Sequence, residues 1–250
     1  MFFAKPGEYE ACGLFSIGHF VFLTITTIII IISLYFTKKK RDKEILDIIR
    51  GFTIVLWVLE VLKIIFNFFV GNGTNPNNYI PLYYCSLILY AGVLSGFCKG
   101  NLKKTGDVFI ATGAIIAGIS FLIYPNTSLR YYPMFHFISF HSFLLHGSMI
   151  YLGLLANITD YIKIKKEDIK YYFVFVLIIG ILAFIINTIF DSNLMFISQD
   201  FPGTPIHTIY EFTGNLFPVV MVMGHAIIPF YVILGIRFLI EKILNKSKKN

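Results

Sequence analysis

Cys85 is the residue in this sequence best placed for covalent chemistry. It follows Pro81-Leu82-Tyr83-Tyr84, just after a polar, glycine- and asparagine-rich loop from Gly71 to Asn78. Pro81 reads as the first residue of an apolar helix, where a proline's missing N–H would have had no partner anyway. Cys85 then lies one turn in. A cysteine there is either a small buried hydrophobe or, beside a base, a thiolate nucleophile. The candidate bases are His136, His141 and His146, five residues apart. Five residues advance a helix by about 140°, so His141 points away from the other two. Zinc-binding helices use i, i+4 pairs, so no metal site is expected from this helix, and no cofactor of any kind. Glu60, His146 and His225 would have to converge from three helices to hold a metal.

Two polar stripes accompany the cysteine. Thr53, Trp57, Glu60, Lys63 and Asn67 share one face of a helix. A charge deep in a membrane helix costs at least ~2.5–3.5 kcal/mol and normally faces the protein interior. Glu60 and Lys63 are therefore either a pair that neutralises itself or the wall of a pocket that holds a polar headgroup or tunes a base. The second stripe is His207, Glu211, Asn215, Pro218 and His225. From Glu211 its later members fall on one narrow face, with Pro218 loosening the local backbone bonding. Hydrogen bonding between packed spans is the plainer reading of such residues. Asn187-Thr188-Ile189-Phe190-Asp191-Ser192-Asn193-Leu194-Met195-Phe196-Ile197, with Pro202-Gly203-Thr204-Pro205 beyond, reads as an ordinary outer connection or as a lid. Substrate contacts are expected from His19, Glu60, Lys63, Asn67, Asn187, Asn193, Glu211, Asn215 and His225.

Apolar spans must position these groups. The chain has 250 residues, 56% hydrophobic and 14% charged, with a mean hydropathy of +0.74. Soluble domains carry about 25% charged residues. Apolar runs of about 20 residues, the length that crosses a bilayer, recur along the sequence. The expected fold is all-α: a polytopic membrane protein with one domain over residues 1–250. Seven transmembrane helices are read near 15–36, 48–70, 81–98, 106–124, 134–156, 170–190 and 214–239.

The net charge of +7 does not indicate nucleic acid. Lys38, Lys39, Lys40, Arg41, Lys43 and Arg50 follow the first span, and Lys99, Lys103 and Lys104 the third. Lys163, Lys165, Lys166 and Lys170 follow the fifth, and Arg237, Lys242, Lys246, Lys248 and Lys249 close the chain. Of the 21 basic residues only Lys5, Lys63 and Arg130 fall elsewhere. The positive-inside rule then places the N-terminus outside and the C-terminus in the cytoplasm. The basic stop after the long first run reads as a spanning helix rather than a cleaved signal peptide. On this topology His19, Lys63, Asn67, Cys85, His136, His141, Asn187 and Asn215 lie in the outer half. Glu60, His146 and His225 lie near the midplane, so a polar cavity opening outward is expected. Three cysteines are too few for a disulfide framework, and a Cys12–Cys85 bond is left open.

Three segments together resemble the YwaF-like family of bacterial integral membrane proteins. They are Pro81-Leu82 followed by Cys85, Phe143-Leu144-Leu145-His146-Gly147, and Asn193 followed by Met195-Phe196 with Pro202 beyond. His19 in the first span also fits. The family usually has a histidine where Tyr83 stands and a tyrosine where Leu194 stands. A eukaryotic branch of the superfamily is thought to transfer fatty acyl chains onto ether lysophospholipids with a cysteine and a histidine. The resemblance implies Cys85 as acyl acceptor and His146 as base, with His141 the alternative on grounds of depth. The expectation is a membrane-embedded phospholipid acyltransferase or transacylase of the bacterial cytoplasmic membrane. A carrier or binding protein for a small polar solute, using Glu60, Lys63 and the second stripe, is the competing reading.

Overall fold

The computed structural model describes residues 1–71 and 75–247, and every regular element among them is helical. Residues 72–74 of the polar loop, and Lys248 and Lys249 of the basic tail, lie outside the described residues. The chain divides into two compact units, Met1–Ile162 and Lys163–Asn250.

The first unit holds α1 (Ile17–Thr37), α2 (Asp42–Phe69), α3 (Leu87–Phe97), α4 (Gly100–Ala111), α5 (Gly113–Ile123) and α6 (Phe137–Ile158). Helix α6 is the hub, packed against α1, α2, α4 and α5. It is buried over most of its length, whereas α1 is buried over little of it. Ile25, Ile28, Ile29, Ile31 and Ile32 of α1 are exposed, as residues facing lipid would be. Close approach depends on small residues. A Cβ on Gly147 would sit 2.8 Å from Thr26 Cγ2, and one on Gly118 2.8 Å from the His146 carbonyl oxygen. Glycine at these positions lets α1 and α5 close on the stretch of α6 that carries His146.

The second unit holds α7 (Ile169–Phe190), α8 (Pro205–Thr213) and α9 (Phe217–Ser247). α7 packs on α9, and α8 on the start of α9.

Among the described residues, six segments are long and apolar enough to cross a membrane, against the seven expected. The difference is the third. Only Leu87–Phe97 becomes helical there, an eleven-residue helix. Pro81 does not start it. Residues 83–89 are joined instead by three-residue turns, among them Ser86 N–H to the Tyr83 carbonyl at 2.9 Å and Ile88 N–H to the Cys85 carbonyl at 3.3 Å. Cys85 therefore sits on a tight turn ahead of α3, not inside it.

Two other spans are interrupted. The fourth breaks at Thr112 (φ −129°, ψ −82°) into α4 and α5. Asn157 Nδ2 donates to the Ala111 carbonyl at 2.8 Å and to that of Gly153 at 2.7 Å, giving the last carbonyl of α4 a partner. The seventh breaks at Gly214 (φ 52°, ψ −125°), a left-handed geometry that glycine tolerates without a Cβ clash. The stripe from Glu211 to His225 required one continuous helix, so it is not one face. Pro218 also falls in the first turn of α9, where no intrahelical bond is lost. The proline inside that helix is Pro229.

Candidate functional site

The first unit gathers most of the chemistry. Glu60 on α2 is fully buried. Lys63, one turn on, places Nζ 2.5 Å from Glu60 Oε1. The pairing across helices is with His141 of α6, whose Nε2 lies 3.4 Å from Glu60 Oε2. The expected angular separation of the span-five histidines did not reveal this partner, because it lies on another helix. This is an ion-pair distance: neither Glu60 oxygen makes a hydrogen bond among the described residues. Glu60 thus stands between a cation and an imidazole at ion-pair distances, and charge pairing rather than hydrogen bonding offsets its burial. Tyr90 of α3 is a further electrostatic neighbour of Glu60. Trp57 holds that edge of α3, its Nε1–H donating to the Leu89 carbonyl at 3.1 Å.

His146 is held differently. Its Nδ1 lies 2.7 Å from the Ser142 carbonyl oxygen. A carbonyl can only accept, so Nδ1 carries the proton and Nε2 presents a lone pair. The ring stacks on Phe121, with centroids 3.7 Å apart and planes 9° from parallel. Stacking and hydrogen bond together fix both the tautomer and the ring plane. His146 lies within electrostatic reach of His141 and Lys63.

Cys85 keeps part of its surface exposed and is a free thiol. Lys63 and Glu60 lie within its electrostatic reach. Tyr83, standing where the resembling family has histidine, is an electrostatic neighbour of Cys85 and of Tyr131. Cys85, Lys63, Glu60, His141 and His146 are therefore linked through shared neighbours within one unit. Cys12 is also a free thiol, with its Sγ 3.3 Å from Ser16 Oγ.

Other candidates in this unit are engaged with backbone. His19 accepts from the Phe15 N–H at Nδ1 (3.2 Å) and donates from Nε2 to the Leu122 carbonyl (2.9 Å). Both nitrogens are used in tying α1 to the end of α5. Asn67 donates from Nδ2 to the Asn78 carbonyl, holding the loop against the end of α2. His136 caps α6, accepting from the Ile138 N–H at 3.1 Å, and donates from Nε2 to the Ala4 carbonyl at 3.1 Å. Burial holds its pKa below the ordinary histidine value. With the Phe137 N–H to Phe2 carbonyl bond at 2.9 Å, it straps the N-terminal segment onto the start of α6.

In the second unit, two asparagines build a loop. Asn187 Oδ1 accepts from Ser192 Oγ and the Leu194 N–H, both at 2.8 Å, and Nδ2 donates to Ser198 Oγ and the Leu194 carbonyl. Asn193 Oδ1 accepts from the N–H groups of Ser198 and Gln199. Met195 and Phe196 have φ values of 57° and 55°, left-handed geometry that costs about 1–3 kcal/mol per residue. Leu194, Met195 and Ile197 are fully buried. The apolar patch is thus the core of this loop, and the asparagines at 187 and 193 act as its backbone template. Glu211 and Asn215 are exposed, and Glu211 faces His207 at 3.4 Å, whose Nδ1 lies 2.8 Å from Asp200 Oδ2. His225 is half-buried in α9, and its backbone carbonyl accepts from Tyr172 OH at 3.2 Å.

Comparison with curated proteins and with solved structures returned no match. The family comparison did, over residues 14–235. That stretch takes in every helix from α1 through most of α9, including the Cys85, Glu60 and His146 cluster. The chain is a helical membrane protein and belongs to the TMEM164 family.

Proposed function

We propose that the first unit transfers acyl chains on membrane phospholipids through Cys85. The observation that carries this is the contact of Glu60 with Lys63 and His141, with Cys85 and His146 each within electrostatic reach of Lys63. The likeness of Pro81-Leu82…Cys85 and Phe143 to Gly147 to the YwaF-like family, a eukaryotic branch of whose superfamily is thought to transfer acyl chains with a cysteine and a histidine, supports it.

His146 takes the Sγ proton on Nε2, and the thiolate attacks the ester carbonyl of a phospholipid. The C–O bond to glycerol breaks, and the departing alkoxide recovers the proton from the imidazolium. A lysophospholipid hydroxyl then gives its proton to the same nitrogen and attacks the thioester, releasing Sγ as thiolate. His141, held by Glu60, is the second candidate for this base. Lys63 supplies positive charge near the developing thiolate, which a thiol among apolar groups otherwise lacks. We place the N-terminus outside and the C-terminus inside a bacterial cytoplasmic membrane, on the charge asymmetry of the loops.

The test is an acyl adduct. Purified protein given chain-labelled phospholipid should acquire a hydroxylamine-sensitive label that is lost in Cys85→Ala and kept in Cys12→Ala and Cys98→Ala. No label on the parent, or equal label on Cys85→Ala, overturns the reading. A solute carrier would instead show uptake that depends on Glu60 and survives Cys85→Ser.

A further inference from the structure

The loop between α5 and α6 carries a buried donor that meets no acceptor among the described residues. The loop is drawn into successive turns. The Ser128 and Leu129 N–H groups bond to the Pro125 carbonyl at 3.2 and 3.1 Å, and those of Tyr131 and Tyr132 to the Ser128 carbonyl at 3.0 Å. The segment before α1 is tied to it by the Cys12 N–H to the Tyr132 carbonyl at 3.0 Å and the Gly13 N–H to that of Leu129 at 2.8 Å. Folded this way, the loop covers Asn126, which is 3% exposed. Asn126 Oδ1 accepts from Arg130 Nη1 at 3.3 Å. Its Nδ2 is buried without a partner. Such a donor is rare in a folded chain and points to a ligand oxygen. Arg130 is exposed and is the only lysine or arginine between Lys104 and Lys163. The bond to Asn126 is its one polar contact among the described residues and uses one of five guanidinium donors. Tyr124, Tyr131 and Tyr132 each keep part of their surface exposed around it. Tyrosines beside apolar spans mark the headgroup level of a bilayer.

We propose that Arg130 and Asn126 form a seat for the phosphate of a phospholipid headgroup. A neutral acceptor would satisfy Nδ2 alone. A cation beside that donor calls for an oxyanion with several oxygens on one centre. A guanidinium meets two phosphate oxygens with parallel donors. Because Arg130 is exposed, a shift of its side chain opens Nδ2 to an oxygen of the same group. The tyrosines and the apolar helices that start from this loop suit a lipid, and a free inorganic phosphate would leave them unused. Tyr131 is an electrostatic neighbour of Tyr83, so the seat lies at the Cys85 end of the unit. It shares no residue with the Cys85 cluster, and the inference stands whether or not Cys85 is acylated.

Native mass spectrometry of the full chain in mild detergent tests it, titrating dioleoylphosphatidylglycerol against dioleoylglycerol, which has the same chains and no phosphate. One cation and one further donor should favour the phospholipid by on the order of tenfold in the first binding step. Arg130→Gln should remove most of that preference, and Arg130→Lys, which keeps the charge, should retain part of it. Asn126→Asp keeps the acceptor for Arg130, and with it the loop, but turns the Nδ2 donor into an acceptor. It should lose the preference while keeping the parent's helical circular dichroism. Cys85→Ala, and Lys38→Gln with Lys39→Gln beyond the far end of α1, should change nothing. The proposal is overturned if the parent shows no preference, if the preference survives both Arg130→Gln and Asn126→Asp, if the Lys38 and Lys39 changes abolish it equally, or if millimolar inorganic phosphate displaces the lipid.

Discussion

Replacing Glu60 by glutamine tests the architecture of the Cys85 cluster directly. The carboxylate is fully buried and touches two partners, Lys63 at 2.5 Å and His141 at 3.4 Å. Glutamine keeps the volume and removes the charge, so Lys63 is left without its counter-ion inside a membrane helix. Breaking a buried pair from one side costs about 3–5 kcal/mol, and an unpaired lysine at the centre of a span about 2.5–3.5 kcal/mol. The Lys63 side chain is 19% exposed, so its ammonium can swing toward polar surroundings and recover part of this. The expected loss is therefore about 2–3 kcal/mol. At about 2–4 °C per kcal/mol for a chain of this size, thermal unfolding in detergent should move down by roughly 4–12 °C. Removing both charges, Glu60→Gln with Lys63→Met, should return most of the loss, because an apolar replacement of a whole buried pair is often neutral. A Glu60→Gln variant that unfolds within about 1 °C of the parent would refute the reasoning. So would a double variant no more stable than the single one, since the two sites would then show no coupling.

Two further outcomes follow from other parts of the structure. Stability should fall with acid through His136, whose folded pKa lies below its unfolded value of about 6.5. The unfolded chain takes up that proton first, so this contribution is complete above about pH 6.5 and is lost as pH drops through the window below it. His136→Asn, which caps the helix but does not titrate, should flatten this part of a pH–stability profile, and an unchanged slope would count against the cap. In the second unit, Asn187→Ala removes the partners of the Leu194 N–H and carbonyl and of two hydroxyls. At about 1 kcal/mol per bond, roughly 2–4 kcal/mol of local stability should go. Amide exchange at residues 192–199 would read this as loss of protection there, with α7 protected as before.

The long apolar runs and the Glu60–Lys63 pair were legible because each rests on local periodicity. An i, i+3 pair needs only the pitch of its own helix. What lay across helices was not. His141 meets Glu60 through the packing of α6 on α2, and no spacing within either helix shows that register. The uses of His19 and His136 were hidden for a related reason: their partners are carbonyls and N–H groups, which every residue has. Helix breaks were legible in part. Thr213-Gly214-Asn215 is a turn-forming triplet that the apolar average of the last span obscured. Leu82 to Leu89 is apolar enough to be taken for helix, and composition does not separate α-helix from the three-residue turns that carry Cys85 there. Asn187 and Asn193 signalled themselves by type, and their hydrogen bonds template the loop that holds the left-handed Met195 and Phe196.

The brevity of α3 bears on the fate of any acyl chain that reaches Cys85. Eleven residues of helix rise only about 16 Å, some half of a 30 Å hydrocarbon layer. A crossing at this segment would have to be completed by the turns of residues 83–89, whose backbone groups would need protein or water around them. On the proposed reaction, a thioester at Cys85 would stand beside these turns, where water would compete with a lysophospholipid hydroxyl for the same carbonyl. The balance between transfer and hydrolysis would then be set by occupancy: an acceptor lipid seated there would conserve the acyl bond, and water in its place would release fatty acid.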